Sequence, residues 1–167
     1  MLKRTFSSVP RPTAIQLFER SCYYNIDFRI KEDSLCKEAV ERFTAFNVGC
    51  LAVTNDTNKV VGVCSGRDYI HKIAALGKSS SEVKVKEIAT YSPKLMVAKA
   101  SDTLDTCMHK MLFKGIRHMV VVDDNSNECV GLISIKDVVR EVFKDKNETI
   151  TRLSDFRIGK GAYFGSE

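Results

Sequence analysis

A serine followed three residues later by an aspartate occurs twice in the same setting, as Gly62-Val63-Cys64-Ser65-Gly66-Arg67-Asp68 and as Gly131-Leu132-Ile133-Ser134-Ile135-Lys136-Asp137. Each copy lies where an apolar run with strand character gives way to apolar residues at helical spacing, so each marks a strand-to-helix corner. Such a corner presents free backbone N–H groups and the positive end of a helix dipole, a natural seat for phosphate. The serine adds a donor, and an aspartate in the first turn can accept from the vicinal hydroxyls of a ribose. The same residues also suit a plain structural task, with Ser65 and Ser134 capping helices and Asp68 and Asp137 favouring the dipole. On residue chemistry alone both readings stand.

Other reactive patterns fail on spacing. Gly77-Lys78-Ser79 has the ending of a phosphate loop, but Lys72 stands where that loop needs glycine, and the triplet follows a helix instead of opening one. His71, His109 and His118 show no paired spacing, and no serine or cysteine stands in a nucleophile elbow. The six cysteines (22, 36, 50, 64, 107 and 129) contain no Cys-x-x-Cys. Neither an enzyme nor a metal cluster is expected, and the thiols read as small buried groups of a reducing compartment.

The elements that hold the two corners repeat. Val48 to Asp56 aligns with Ile116 to Asp124 at an offset of 68, and Gly62 to Ile70 aligns with Gly131 to Val139 at 69. The slip of one falls in the polar stretch Asn55 to Lys59, which reads as a hairpin turn. Each half has a short extended segment (Ile26 to Ile30; Leu95 to Lys99) and a helix with Ser34 or Asp102 as its expected N-cap. Two strands follow, then a second helix (Arg67 to Leu76; Lys136 to Lys144). The expected fold is α+β, two β-α-β-β-α units leaning together as an intramolecular pair. The units span residues 25–77 and 93–145 around a linker at 78–92, with extensions at 1–24 and 146–167.

Composition bounds the rest. The 167 residues are 44% hydrophobic and 28% charged, which excludes disorder over the whole chain. No apolar run reaches membrane-span length. Lys3, Arg4, Arg11 and Arg20 against Glu19 put +3 of the net +5 into Met1 to Tyr24. The rest of the chain is too nearly balanced for direct nucleic-acid binding. The basic, acid-poor first 24 residues, with Arg4-Thr5-Phe6-Ser7, have the composition of a mitochondrial targeting segment, so a matrix location is expected.

The repeated unit, with its doubled Gly-x-x-Ser-x-x-Asp, resembles the tandem pair of CBS (cystathionine-beta-synthase-type) domains over roughly residues 25–145. Gly115-Ile-Arg-His-Met-Val-Val-Val-Asp is similar to that family's usual entry into its second unit. The resemblance implies an adenine nucleotide (AMP, ADP or ATP) in the cleft between units. It implies ribose at Asp137 and Asp68 beside Ser134 and Ser65, phosphate at Arg117 and His118 with Lys136 and Arg67 secondary, and an adenine slot lined by Ile116 and Val48. The second corner seems the better equipped of the two, because Gly49 and Cys50 stand where the other half has Arg117 and His118. Two departures from the family pattern are Ala89 at a methionine position and no proline before Ser34. The resemblance also implies a possible homodimer and a regulatory, non-catalytic role. A structural subunit of a large mitochondrial assembly (ribosome, ATP synthase or respiratory complex) is the alternative, with Met1–Tyr24 and the Gly-rich Lys146–Glu167 as the docking segments for a protein partner.

Overall fold

The structure is a computed structural model that describes residues 11–57, 59–126 and 128–157. The first sheet has the order β1-β2-β3-β4, from Arg29–Lys31, Cys50–Thr54, Val60–Ser65 and Thr90–Tyr91. The second has the order β5-β6-β7, from Val97–Lys99, His118–Val122 and Cys129–Ser134. In both, the first strand pairs parallel to the second and the next pair is antiparallel. The two hairpins also share a register shift, at Val53/Thr54 and at Val121/Val122. Their turns differ by the one residue that the repeat requires. Asn55 N–H donates to Lys59 O at 3.0 Å, whereas Asp123 N–H donates to Glu128 O at 2.8 Å.

Helices α1 (Ala14–Glu19), α2 (Cys36–Ala45), α3 (Gly66–Lys72), α4 (Val85–Ile88), α5 (Leu104–Lys114) and α6 (Ile135–Arg157) complete the fold. Helix α3 gives way to a 3-10 turn at Ala74–Leu76, short of the single helix to Leu76 expected from sequence. The N-caps fall one residue beyond those expected. Thr103 caps α5, accepting from Thr106 N–H, and Leu35 opens α2 without a side-chain cap. Asp102 instead accepts from Lys99 N–H at 2.9 Å and from Lys110 Nζ at 2.5 Å. Helix α6 runs well past Lys144, so 146–157 of the expected tail is helical, while 158–167 lies outside the described residues.

One continuous core joins the units, drawing Ile30, Leu51 and Val53 from the first and Met119, Leu132 and Ile133 from the second. The arm at 11–24, set apart by the sequence reading, belongs to that core: Ala14, Leu17, Phe18 and Tyr23 are buried. It reproduces the linker's path at an offset of 71. Thr13 N–H donates to Gln16 Oε1 at 3.0 Å as Lys84 N–H donates to Glu87 Oε1 at 2.9 Å. Ala14 N–H meets Asp102 O as Val85 N–H meets Ser34 O, both at 2.8 Å. Pro12 O accepts from Leu104 N–H as Val83 O accepts from Cys36 N–H. The linker therefore leads in on the first unit and the arm on the second. Residues 1–10, including Arg4 to Ser7, lie outside the described residues.

Two glycines let these lead-ins approach. A Cβ on Gly62 would come within 2.6 Å of Thr90 O and 3.0 Å of the Tyr91 ring, and one on Gly131 within 2.5 Å of the Phe18 ring. Gly62→Val is expected to cost about 1–3 kcal/mol, because the obstacle is backbone of β4 that cannot rotate away. A urea melt checks this, and a change within a few tenths of a kcal/mol would contradict the packing.

Candidate functional site

Both Ser-x-x-Asp motifs form the corners expected of them, β3 into α3 and β7 into α6. One amide at each helix start is already satisfied within its own unit. Gly66 N–H donates to Gly49 O at 3.1 Å and Ile135 N–H to Arg117 O at 2.8 Å. In the first corner the Asp68 carboxylate accepts from Ser65 N–H (3.0 Å), Ser65 Oγ (2.6 Å) and Lys72 Nζ (3.0 Å), while Ser65 Oγ accepts from Asp68 N–H. In the second, Asp137 Oδ2 accepts from Ser134 N–H and Ser134 Oγ, both at 2.7 Å, and from Ser21 Oγ at 3.0 Å. Serine and aspartate thus brace each helix start, and that capping role does not depend on any ligand.

Two clefts between the units, about 190 and 210 Å³, exchange partners in a pseudo-twofold manner. The first sets Ser65, Arg67 and Asp68 against Ile116, Arg117 and His118 of the other unit. The second sets Ser134 and Lys136 against Val48 and Gly49, with Arg117 and His118 along the shared wall. Ile116 therefore faces the first corner and Val48 the second. The sequence reading favoured the second corner for its Arg117 and His118, and these two residues line both clefts. Cys22 and Tyr23 of the arm line the second cleft, and Asp137 is only 3% exposed. The Asp68 side chain keeps 16% of its surface. Exposed Arg67, Lys94 and Arg117 stand at the rim of the first cleft.

Sequence reasoning missed two contributors. Thr90 of the linker and Lys94, Leu95 and Met96 at the start of the second unit line the first cleft, which the position of Ala89-Thr-Tyr-Ser-Pro-Lys at that junction could have suggested. Cys22 and Tyr23 reach the second cleft, and the Thr13–Leu17 to Lys84–Ile88 alignment was the available signal. The thiol reading holds for Cys36, Cys50, Cys64 and Cys107, which are buried and free, but Cys22 is exposed. Among the described residues no group of side chains is arranged to hold a metal ion, and no helix is long and apolar enough to cross a membrane.

His118 is held neutral. Its ring packs within 3.1 Å of where a Gly49 Cβ would stand and meets Tyr23 edge to face at 6.1 Å. Burial first, and the Arg117 charge second, push its pKa from 6.5 down to about 4. At neutral pH it can offer a cleft occupant one ring N–H and one acceptor but no positive charge. Between pH 6.5 and about 4 the unfolded chain binds a proton that the folded chain refuses, so this contribution is intact above that window and is lost as pH falls through it. The expected slope approaches about 1.4 kcal/mol per pH unit. Urea melts of wild type and His118→Asn across pH 4–7 check it, and parallel curves would contradict it.

The chain belongs to the CBS domain family, which matches residues 27–75 and 85–144. It is 33% identical over 126 residues to a mitochondrial CBS domain-containing protein of Arabidopsis thaliana, covering 74% of this chain and 60% of that protein's length. Among solved structures it is similar to a signal-transduction protein with CBS domains from Burkholderia ambifaria. The TM-score is 0.68 at 27% identity, over 80% of this chain and 95% of that one. It is also similar to a CBS domain protein of Pyrobaculum aerophilum complexed with AMP. Here the TM-score is 0.64 at 26% identity, over 75% and 88% of the two chains. The family match begins at 27 in the first unit but at 85 in the second, so it takes in the linker's lead-in and leaves out the arm's.

Proposed function

We propose that this chain is a non-catalytic regulatory module that binds an adenine nucleotide between its two CBS units, and that it does so in mitochondria. The observation that carries the reading is the first cleft, where Ser65, Asp68 and Arg67 of one unit converge with Ile116, Arg117 and His118 of the other. Asp68 is placed to accept the ribose hydroxyls, and the Arg117 and Arg67 guanidiniums suit phosphate oxygens. Ile116 offers the base an apolar wall, and neutral His118 adds a hydrogen bond in place of a charge. Ser134, Lys136 and Val48 form the corresponding set of the second cleft, with Asp137 buried behind Ser134. The AMP complex of the Pyrobaculum protein supports the ligand class. The Arabidopsis relative and the basic N-terminal composition support the location. Processing near Arg4 to Ser7 would leave Arg11, paired with Asp105 at 2.5 Å, and the buried Ala14, Leu17 and Phe18 in place.

Occupancy would bias the two units toward one mutual arrangement and so favour a partner that binds that arrangement better. A second reading, a scaffold subunit of a mitochondrial assembly, is supported by the stripe Val139, Phe143, Ile150 and Leu153 on α6, each 44–65% exposed. The stripe is equally compatible with self-association. A thermal-shift titration of the full chain with AMP, ADP and ATP tests the nucleotide reading. A ligand at a hundred times its dissociation constant should add about 2.7 kcal/mol. No shift with any of the three would leave the scaffold.

A further inference from the structure

The arm does more than pack on the second unit, because three polar contacts bring it onto that unit's corner. Arg20 Nη1 lies 3.0 Å from Glu141 Oε1, Arg140 Nη1 donates to Arg20 O at 3.1 Å, and Ser21 Oγ donates to Asp137 Oδ2 at 3.0 Å. Two residues on, the buried Tyr23 carries its ring to the edge of His118 and lines the second cleft beside Gly49. The short 3-10 turn Cys22–Asn25 thus crosses the second cleft from Asp137 to the start of β2.

We propose that the arm blocks the second corner from within, the Ser21 hydroxyl standing where a sugar hydroxyl would meet Asp137 and Cys22 and Tyr23 walling the cleft beside it, so that the chain takes one nucleotide, in the first cleft. This rests on the nucleotide reading above.

Differences between the two corners carry the argument. One turn along the helix from Asp68 stands Lys72, whose ammonium satisfies the carboxylate. The corresponding residue after Asp137 is Glu141, 9% exposed, which is paired with Arg20 of the arm. That pair anchors the arm one turn along α6 from Asp137, so that Ser21 reaches the Asp137 carboxylate. The two lead-ins also use their last residues differently. Residues 89–96 lay β4 along β3 and line the first cleft through Thr90, Lys94, Leu95 and Met96, whereas the arm turns through a 3-10 segment that sets Cys22 and Tyr23 along the second.

Isothermal titration of the full chain with AMP and with ATP decides the stoichiometry. One equivalent is expected in wild type and none in Asp68→Ala. Two equivalents in wild type, or one that survives Asp68→Ala, would overturn the proposal while leaving nucleotide binding in place. A measurement without nucleotide tests the contact itself, from the urea midpoints of Ser21→Ala, Asp137→Asn and the double variant. The double variant is expected to melt close to the worse single variant, and strictly additive losses would overturn the blocking contact. If wild type binds neither nucleotide, the function proposed above falls, and the additivity result alone then decides whether Ser21 holds Asp137.

Discussion

A chain shortened to begin at Ile26 is expected to lose the cooperative unfolding of its second unit. The segment removed carries Leu17 and Tyr23, each 1% exposed, and Phe18, 8% exposed. Burying side chains of this size is worth roughly 1.5–3 kcal/mol each. Their combined loss rivals the total stability of about 5–15 kcal/mol typical of a domain. Phe18 matters most, because it lies against Gly131 and meets Phe28 edge to face at 5.7 Å, tying the second sheet to the first unit. Phe18→Ala alone is expected to cost about 3–5 kcal/mol, with Phe18→Leu much milder. The Arg11 pairs with Asp105 and Asp145 join half-exposed side chains and add little. Urea melts followed by circular dichroism measure the loss. A shortened chain as stable as the full one to within about 1 kcal/mol would show that the arm is an appendage after all.

The second large effect is expected at Asp68. In Asp68→Ala the ribose acceptor disappears, and the stabilisation of about 2.7 kcal/mol at a hundredfold excess of nucleotide over its dissociation constant should vanish with it. The unliganded protein should weaken by only about 1 kcal/mol, the usual cost of a lost helix cap. Lys72 keeps a second acceptor in Ile88 O. Asp68→Asn separates the two roles. Its amide oxygen can still accept from Ser65 N–H and hold the corner, but it offers no charged acceptor to a ribose. Equal ligand-induced shifts in wild type and Asp68→Ala would sink the ribose assignment.

Much of the architecture was legible in one dimension because it rests on local pattern. Alternating strands, helical spacing in Ala39 and Phe43 or in Leu104 and Met111, and the doubled Ser-x-x-Asp are short-range features, and duplication made each half a check on the other. The hairpin slip between Asn55 and Lys59 appeared in the turns where the alignment put it. The packing of the arm's residues 11–24 was not legible, for a physical reason. A basic stretch with Ile15, Leu17 and Phe18 at helical spacing looks the same whether its apolar face awaits an import machinery or a protein core. Its resemblance to the linker was diluted by substitution, with Thr13-Ala-Ile-Gln-Leu against Lys84-Val-Lys-Glu-Ile, and survives mainly in backbone hydrogen bonds.

The sequence by itself determined that there are two like units, where their corners lie, and which side chains stand at them. Only the tertiary structure decided which residues share a cleft. Asp68 faces Arg117 and His118 across the pair, while Asp137 is taken by Ser21 from 116 residues away. Residue spacing encodes what a few consecutive turns of chain can do, and the crossing of two lead-in segments onto opposite units is set by core packing between distant segments.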